Sequence, residues 1–460
     1  MSGGPNERSD GSIVLSSMLQ SRPVLAGWIG GIGIAVGLLV ALQAERTAHG
    51  QVLALGLAAA AVARGVALRR PLLWPNVAAS AALLAISVIA ANRGYAGFAQ
   101  VVLVLMGAAL LWAPPAPLAG TASERRQIRA LVDRTSNDTL APFAQRLDKS
   151  YVFAADGQAA VAYRVRFGVL VVSGDPIGDP ASQPAAAQAA IDLALANGWR
   201  IGVLGAGEQW TQWWRDRGLT AVPIGRDVVI DIPTFSLVGR AFRNLRQAVQ
   251  RTHNAGVTTA IHPESELPDA LRGELSAIVA RSRRNANRGF SMILDGLLDG
   301  EHPGSLIAVA YDRDRRVVAF HRFVTADGGR EISQDLPWRR PGAPNGVDER
   351  LAYDTIAWGR ERGALRLSLS FAAFPELYAE QPRGAARRAT YWLSHRLDRY
   401  VRLESLYRYL RKFHAMGQQR VVLLRLRDLI PVAAAMLTLE FNSYRRTRML
   451  RTEMWRRLTK

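Results

Sequence analysis

The stretch YVFAADGQAAVAYRVRFGVLVVSGDPIGDP, residues 151–180, decides how the soluble half of this chain is built. It contains three short runs rich in β-branched and aromatic residues, YVFA, AAVAYRV and VLVVSG, and turn-forming residues separate them. Such runs predict strands. The alanine-rich residues 183–197 predict a helix, WRIGVLGAG predicts a buried strand, and VVIDIPTFSLVG leads into a basic helix.

A similar plan recurs further along the chain. The order is a helix, a hairpin, a strand, a helix and a strand, in ELSAIVARSRR, SLIAVAYDRDRRVVAFHRFVT, REISQDLPWR, RLAYDTIAWGRERG and ALRLSLSFAAF. We predict an α+β fold with two units of antiparallel strands backed by helices, at 151–256 and 257–427. This order is similar to the GNAT acyltransferase fold used twice. No G-x-G-x-x-G or Walker A loop occurs, so a doubly wound nucleotide-binding fold is not expected.

Composition limits the chemistry. The 460 residues are too many for one ordinary domain and carry a formal net charge of +20. Such an excess favours nucleic acid, an anionic membrane surface, or both. The chain has no cysteine, which excludes disulfides and thiolate nucleophiles. The seven histidines include no His-x-x-x-His pair, and Asp312 and Asp314 resemble a hairpin turn, so we expect no metal and no cofactor.

The N-terminal region predicts a membrane anchor. Residues 1–20 are polar and are expected to be disordered. Four apolar runs follow, each close to the ~20 residues that cross a bilayer. They lie at 24–43, 51–68, 72–91 and 95–113.

The charges that flank these runs predict the orientation. Arg22 precedes the first run, Arg69 and Arg70 lie between the second and third, and Arg125 and Arg126 follow the fourth. With an even number of spans, the positive-inside rule places both termini in the cytoplasm. We therefore expect a multi-pass inner-membrane protein with its membrane region at 21–115, a linker helix at 116–150 and a cytoplasmic soluble part.

A basic helix is predicted at GRAFRNLRQAVQR, residues 239–251. Winding it at 100° per residue places Arg240, Arg243, Arg246 and Arg251 within an arc of about 140°, with apolar residues behind them. A solvated surface helix is one interpretation. The other is a polyanion-binding face, because no acidic residue in this stretch neutralises the arginines.

The C-terminal tail, residues 428–460, is predicted to be basic and amphipathic. RRTRMLRTEMWRRLTK, residues 445–460, carries seven Lys and Arg and one Glu, and the apolar LIPVAAAMLTLEF before it is too short to span a bilayer. An interfacial helix on an anionic leaflet and a packed core helix are both consistent with this pattern.

Five segments in order resemble the catalytic domain of the aminoacyl-phosphatidylglycerol synthases, the multiple peptide resistance factor family of phosphatidylglycerol lysyltransferases. They are DGQAAVAYRVRFGVLVVSGDPIGDP, FSLVGRAFRNLRQAVQRTHNAG, SQDLPWRRPGAPNGVDERLAYDTIAWGRERG, LSLSFAAF and LESLYRYLRKF. Together they cover about residues 135–425. The resemblance implies a tandem GNAT fold that moves an amino acid, lysine above all, from aminoacyl-tRNA to the headgroup hydroxyl of phosphatidylglycerol. Such lipid modification alters surface charge and gives resistance to antimicrobial peptides.

Two alternatives stay open. One is a GNAT-type acyltransferase with another acyl donor, although no acyl-CoA pyrophosphate loop is obvious. The other is a catalytically inactive, membrane-anchored relative that binds tRNA or lipid. The oligomeric state is not predicted.

The implied reaction needs a base, a carboxylate for the substrate ammonium, and positioning. Asp335 is the first candidate, since it is an acid in an otherwise apolar strand; an ion pair with Arg339 or Arg340 is the alternative. Asp348 and Glu349, at a helix start, are the second, with plain helix capping as the alternative.

Binding roles follow from the resemblance and from the basic patches. The expected substrate-binding residues are Gly239, Arg240, Arg243, Arg246, Asp175, Ser370 and Lys412. Gly239 would allow close backbone approach at a helix start that binds an anion. Asp175 lies in a Gly-Asp-Pro-x-Gly turn, so a turn-forming role is the alternative. The expected tRNA-binding residues are Arg251, Arg281, Arg283, Arg284 and Arg288, for which a solvated face is the alternative.

Overall fold

The computed structural model describes residues 48–67, 70, 73–111, 117, 119–281, 290–302, 304–373 and 403–441. The chain divides into two compact units. The first contains the N-terminal helices and comprises Met1–Ala116, Phe167–Leu170 and Ile191–Arg200. The second comprises Pro117–Arg166, Val171–Ala190 and Ile201–Lys460.

Three apolar helices form the described N-terminal region: α1 (Ala48–Ala67), α2 (Trp74–Asn92) and α3 (Ala96–Leu110). Helix α2 and most of α1 are long and apolar enough to cross a membrane, whereas α3 is shorter. Each of the second, third and fourth predicted runs therefore contains a helix among its described residues. The first run, 24–43, and the N-terminal residues 1–20 lie outside the described residues.

Small residues let these helices approach each other closely. A Cβ on Gly107 of α3 would lie 2.7 Å from the carbonyl oxygen of Ala58 of α1. The Ser87 hydroxyl of α2 donates a 2.8 Å hydrogen bond to the carbonyl of Ala99 of α3. Small side chains and hydroxyl bonds between helices are typical of membrane helix packing.

The rest of the chain alternates helices and strands. The further helices are α4 (Ala122–Val132), α5 (Gln183–Ala196), α6 (Glu208–Arg215), α7 (Arg243–Asn254), α8 (Asp269–Arg281), α9 (Val347–Glu361), α10 (Leu403–Leu410) and α11 (Leu429–Phe441). The strands are β1 (Ser150–Phe153), β2 (Ala159–Arg166), β3 (Val169–Ser173), β4 (Ile177–Gly178), β5 (Arg200–Ala206), β6 (Thr220–Asp231), β7 (Thr258–Pro263), β8 (Ser305–Tyr311), β9 (Val317–Ala326), β10 (Glu331–Arg339), β11 (Arg366–Ala373) and β12 (Met416–Leu424).

The strands form one sheet in the order β1-β2-β3-β5-β12-β6-β11-β10-β9-β8-β7, and β4 pairs with β2. The α+β prediction is confirmed. The two halves also interlock: β6 from the first half pairs with β11 of the second, and β12 from the chain's end lies between β5 and β6. The predicted boundaries at 151–256 and 257–427 therefore remain an interpretation of the sequence, because each half contributes a strand to the centre of the shared sheet.

The predicted linker helix is shorter than expected. Helix α4 begins at a capping box formed by Thr121 and Glu124 and ends at Val132. Asn137 then adopts a positive φ of 63°, and the Asp138 carboxylate accepts a hydrogen bond from the backbone N–H of Leu140. Side-chain bonds of this kind compete with helix, so the chain turns here.

Helices cover both faces of the second half of the sheet. On one face α7, α9 and α10 bury Leu245, Leu351 and Leu410 in a common apolar core with β6, β8, β10 and β11. On the other face α8 buries Leu275 against Phe320 of β9. Side chains of β9 alternate between these faces. The adjacent polar residues His321 and Arg322 therefore lie on opposite faces of the sheet.

Candidate active site

The parallel strands β10 and β11 pair over a short distance only. Their register runs from Glu331 opposite Arg366 to Ser333 opposite Ser368. Beyond it, β10 is irregular between Gln334 and Leu336 in its pairing with β9, and β11 is irregular after Ser368 in its pairing with β6. Bulges at such positions redirect side chains and end strand pairing. Seven residues, 340–346, separate the end of β10 from the start of α9.

The start of α9 lies directly on α7. Gly346, the residue before α9, has a φ of 101°, and a Cβ there would lie 2.4 Å from the carbonyl oxygen of Ala248 in α7. Only glycine meets both demands at low cost. The first turn of α9 therefore carries Asp348 and Glu349 to a position beside the basic helix.

Asp348 is held by a buried histidine. His321 of β9 bonds the Asp348 carboxylate through Nε2 at 3.1 Å, and Gln334 donates to His321 Nδ1 at 3.1 Å. That donation assigns the imidazole proton to Nε2, so the ring donates to Asp348. Burial opposes ionisation of Asp348, but the His321 hydrogen bond and the Arg339 guanidinium outweigh burial and lower the pKa of Asp348.

Glu349 pairs with Lys412, whose Nζ lies 2.5 Å from Glu349 Oε1. The Glu349 side chain is 7% exposed and that of Lys412 is 36% exposed, so one end of the pair faces solvent. The hydroxyl of Tyr409 is buried nearby and has no hydrogen-bond partner among the described residues. Burial and the charges of Asp348 and Glu349 raise the pKa of Tyr409 well above its usual value, which keeps this hydroxyl protonated.

The basic helix is exposed as predicted, but it starts later. Helix α7 begins at Arg243, so Gly239 and Arg240 lie in the turn before it. The arginines of this face, Arg240, Arg243, Arg246 and Arg251, are all exposed. Within the described part of the chain, none of them forms an ion pair, and Arg246 donates instead to the carbonyl of Gly239 at 2.6 Å. The imidazole of His414 bonds the carbonyl of Ala241 at 3.1 Å, which joins the Lys412 turn to this segment.

Comparison with known proteins assigns the family. Residues 129–423 match the family model described as phosphatidylglycerol lysyltransferase, C-terminal. The chain belongs to this family. Its members are transferases of lysylphosphatidylglycerol synthesis, so the prediction of an enzyme of this class is confirmed.

Two curated relatives support this assignment. An MprF-like domain protein of Mycobacterium tuberculosis is 44% identical over 400 residues, which cover 85% of this chain and 81% of that protein. The lysylphosphatidylglycerol biosynthesis bifunctional protein LysX of Mycobacterium avium is 34% identical over 322 residues, 69% of this chain and 27% of that protein.

The fold also has a solved counterpart. The structure of L-PGS from Bacillus licheniformis aligns with a TM-score of 0.58 at 20% identity and covers 71% of this chain and 98% of that one. At that identity the likeness concerns the fold alone, and it agrees with the shared sheet described above.

Asp335 lies away from the cluster formed by Asp348, Glu349 and Lys412. Its carboxylate accepts a hydrogen bond from the backbone N–H of Leu294 at 2.8 Å and pairs with Arg322 of β9, not with Arg339 or Arg340. Arg322 follows His321 on the strand and so points to the opposite face of the sheet. Asp335 is buried, and its contacts favour a structural role, so the catalytic role predicted for it is not supported by its position.

Asp175 is also buried in a structural cluster. It accepts hydrogen bonds from the backbone N–H of Gly207 at 3.1 Å and pairs with Arg420 of β12, which also pairs with Asp138 and Asp227. A substrate could not reach Asp175 without opening this cluster, so its predicted binding role is not supported.

The remaining predicted residues divide into three groups. Gly239 has a φ of 97° with open space where a Cβ would lie, so the backbone conformation, and not close approach, requires glycine there. The structure does not describe the side chains of Ser370 and Arg281. Arg283, Arg284 and Arg288 lie outside the described residues, so their predicted tRNA-binding roles stay predictions.

Sequence reasoning missed His321, Gln334 and Tyr409. A signal for the first was present, because His321 and Arg322 are adjacent polar residues inside the hairpin strand VVAFHRFVT. Two charged or polar residues within a buried strand indicate partners on both faces. Among the described residues no group of three His, Asp or Glu side chains is arranged to hold a metal ion.

Proposed function

We propose that this chain transfers an amino acid, with lysine as the expected one, from aminoacyl-tRNA to the headgroup hydroxyl of phosphatidylglycerol. The observation that carries the proposal is the contact between Gly346 and Ala248. It packs the apolar side of α7, the helix that carries the arginines, against the start of α9, which carries Asp348 and Glu349, in a chain of the phosphatidylglycerol lysyltransferase family.

The reaction exchanges one ester for another. The lipid hydroxyl oxygen attacks the aminoacyl carbonyl, the bond from that carbonyl to the tRNA 3′ oxygen breaks, and the hydroxyl proton is passed to the departing tRNA oxygen. We propose that Glu349 accepts the proton and that the ammonium of Lys412, its ion-pair partner, stabilises the negative charge that develops on oxygen. Since the donor ester is already activated, no covalent enzyme intermediate is needed.

Asp348 is proposed to bind the α-ammonium of the amino acid. His321 and Arg339 hold its carboxylate ionised, and the side chain remains 26% exposed, so a cationic group can reach it. In this role His321 is a positioning residue, because its side chain is fully buried and its two ring nitrogens bond to Asp348 and Gln334.

The α7 arginines are proposed to bind phosphates of the tRNA acceptor end. Their number, and the lack of acidic partners among the described residues, match a polyanion. The hydrogen bond between His414 and the carbonyl of Ala241 joins the segment that carries Arg240 to the turn that carries Lys412. The apolar N-terminal helices are proposed to anchor the chain as a multi-pass protein of the inner membrane, with the catalytic part in the cytoplasm where charged tRNA is found.

Lipid analysis tests this proposal. Cells that express the chain should contain an aminoacylated, ninhydrin-positive lipid on thin-layer chromatography. In vitro, the purified protein should label phosphatidylglycerol vesicles from charged tRNA, and ribonuclease treatment should abolish the labelling. Feeding single labelled amino acids identifies the one transferred. Labelling that survives ribonuclease and follows an acyl-thioester would instead establish another acyl donor, and tRNA binding without product would establish an inactive relative.

A further inference from the structure

Helix α11 has two apolar faces with different surroundings. Val432, Ala435, Met436 and Leu439 are buried. The first two turns pack on β5, since a Cβ on Gly202 would lie 2.6 Å from Val432 and 2.9 Å from Met436. The packed core helix considered from the sequence is therefore present.

The C-terminal end of α11 is also fixed. The Glu440 carboxylate accepts hydrogen bonds from the backbone N–H groups of Phe290 at 3.0 Å and Ser291 at 3.1 Å, and from the Ser291 hydroxyl at 2.6 Å. These bonds and the packing on β5 set the rotation of the helix about its axis. The outward face is consequently a defined surface of the molecule.

That outward face is apolar. Ile430 is 82% exposed and Leu437 is 53% exposed, and at 100° per residue they lie about 180° from the centre of the buried face. Leu426 and Leu429 extend the surface at the start of the helix, where they are 64% and 48% exposed. Exposed large aliphatic side chains clustered in this way mark an interaction surface.

Positive charge adjoins this surface at Arg427 and, in the sequence, after α11. Arg427 is exposed beside Leu426, and its Nε lies 3.9 Å from the Asp428 carboxylate. The sixteen residues 445–460 that end the chain carry seven Lys and Arg and one Glu. A protein partner would need a complementary acidic rim around an apolar centre, whereas an anionic bilayer supplies both properties everywhere on its surface.

We infer that the apolar surface formed by Ile430 and Leu437 on the outward face of α11, and by Leu426 and Leu429 at the start of the helix, inserts into the interface of an anionic phospholipid bilayer. The aliphatic side chains enter the boundary between headgroups and acyl chains, and the flanking basic residues pair with lipid phosphates. This contact is independent of catalysis, so it stands or fails separately from the proposed transferase reaction.

The absence of cysteine allows a direct test. Ile430→Cys and Leu437→Cys introduce single cysteines on the inferred surface, and Asp314→Cys introduces one at an exposed hairpin turn as the control. Each full-length variant is labelled with the environment-sensitive dye NBD and reconstituted into vesicles of phosphatidylcholine alone or with phosphatidylglycerol. A second set of vesicles carries a spin-labelled lipid that quenches NBD at the headgroup boundary.

The inference predicts blue-shifted NBD emission at both α11 positions in vesicles with phosphatidylglycerol, quenching by the spin-labelled lipid, and neither effect at position 314. Raising the salt to 1 M, where the Debye length falls to ~3 Å, should weaken the quenching. Emission typical of water at both α11 positions would overturn the inference. So would a blue shift without lipid quenching, which would indicate a second copy on this face, or equal quenching in both lipid mixtures.

Discussion

The Arg420 cluster and the α9 cluster both combine carboxylates with basic side chains, but solvent reaches only one of them. Arg420, Asp138, Asp175 and Asp227 have side chains no more than 4% exposed. The α9 cluster consists of Asp348 and Glu349 with their partners His321, Arg339 and Lys412. In this cluster, Lys412 and Arg339 are each 36% exposed.

The positions of the two clusters in the sheet explain the difference. Arg420 lies on β12, the strand shared by both halves, and joins segments that are far apart in sequence. The α9 cluster lies where β10 and β11 stop pairing and a helix begins. Buried charges at the shared strand stabilise the fold, whereas Asp348, Arg339 and Lys412 remain partly exposed to solvent.

Arg420→Met should have the largest effect. It tests whether the buried Arg420 cluster stabilises the fold. It leaves three carboxylates buried without their guanidinium, which should lower the free energy of unfolding by about 3–5 kcal/mol. Denaturant unfolding followed by tryptophan fluorescence measures the loss. Arg427→Met, at a side chain that is 76% exposed, serves as the control and should change stability by less than about 0.5 kcal/mol. Equal denaturant midpoints for the two variants would show that the Arg420 cluster does not stabilise the fold.

Glu349→Gln and Lys412→Met test whether the α9 cluster acts in catalysis. Each should lower aminoacyl transfer by about 10²-fold or more while the protein stays folded, because the lost groups act on the reacting atoms. The double variant should be no worse than about tenfold below either single variant, since the two act as one unit. Glu361→Gln, at the other end of α9 and 75% exposed, is the matched control and should keep full activity. Unchanged activity in both single variants would place the chemistry elsewhere.

Arg243→Ala combined with Arg251→Ala sharpens the contrast between binding and catalysis. The KM for aminoacyl-tRNA should rise about tenfold while kcat stays unchanged, and the salt dependence of binding should fall by about one unit of slope per lost phosphate contact. Filter binding between low and high salt measures the slope. Arg316→Ala, at an exposed hairpin turn, should leave both quantities unchanged. An unchanged slope in the double variant would exclude the α7 face as the tRNA contact.

The smallest expected effect concerns pH. Burial and the neighbouring Asp138 raise the pKa of Asp175 to about 7, although Arg420 opposes the shift. Between its unfolded value near 4 and about 7, the folded protein binds this proton and the unfolded chain does not, so stability should fall as the pH rises from about 4 to about 7 and level off above that. Asp175→Asn should flatten this fall in thermal unfolding at pH 5 to 8. A variant with the same slope as the wild type would show that Asp175 is ionised throughout.

The sequence identified the elements because hydrophobic periodicity sets them locally. The strands at 151–173, the hairpin turn at Asp312 and the helix after Pro344-Asn345-Gly346 all formed as predicted. The early end of α4 and the late start of α7 were missed, because they depend on side-chain bonds and backbone turns that periodicity does not register.

The residues of the candidate site were predicted in part, and for a related reason. Asp348, Glu349 and Lys412 were chosen by position and resemblance, and the structure brings them together. Asp335 was chosen because it is an acid in an apolar strand, but the acid of a structural buried ion pair produces the same sequence pattern. Its partner, Arg322, is 13 residues away on the neighbouring strand, so only the sheet register identifies the pair.

The central claim is that the α9 cluster transfers the amino acid from tRNA to lipid. The most direct measurement follows labelled amino acid from charged tRNA into the lipid phase of phosphatidylglycerol vesicles, with purified wild-type protein and with Glu349→Gln. We predict ribonuclease-sensitive labelling by the wild type and a loss of about 10²-fold in the variant. Equal labelling by both proteins, or labelling that does not require tRNA, would contradict it.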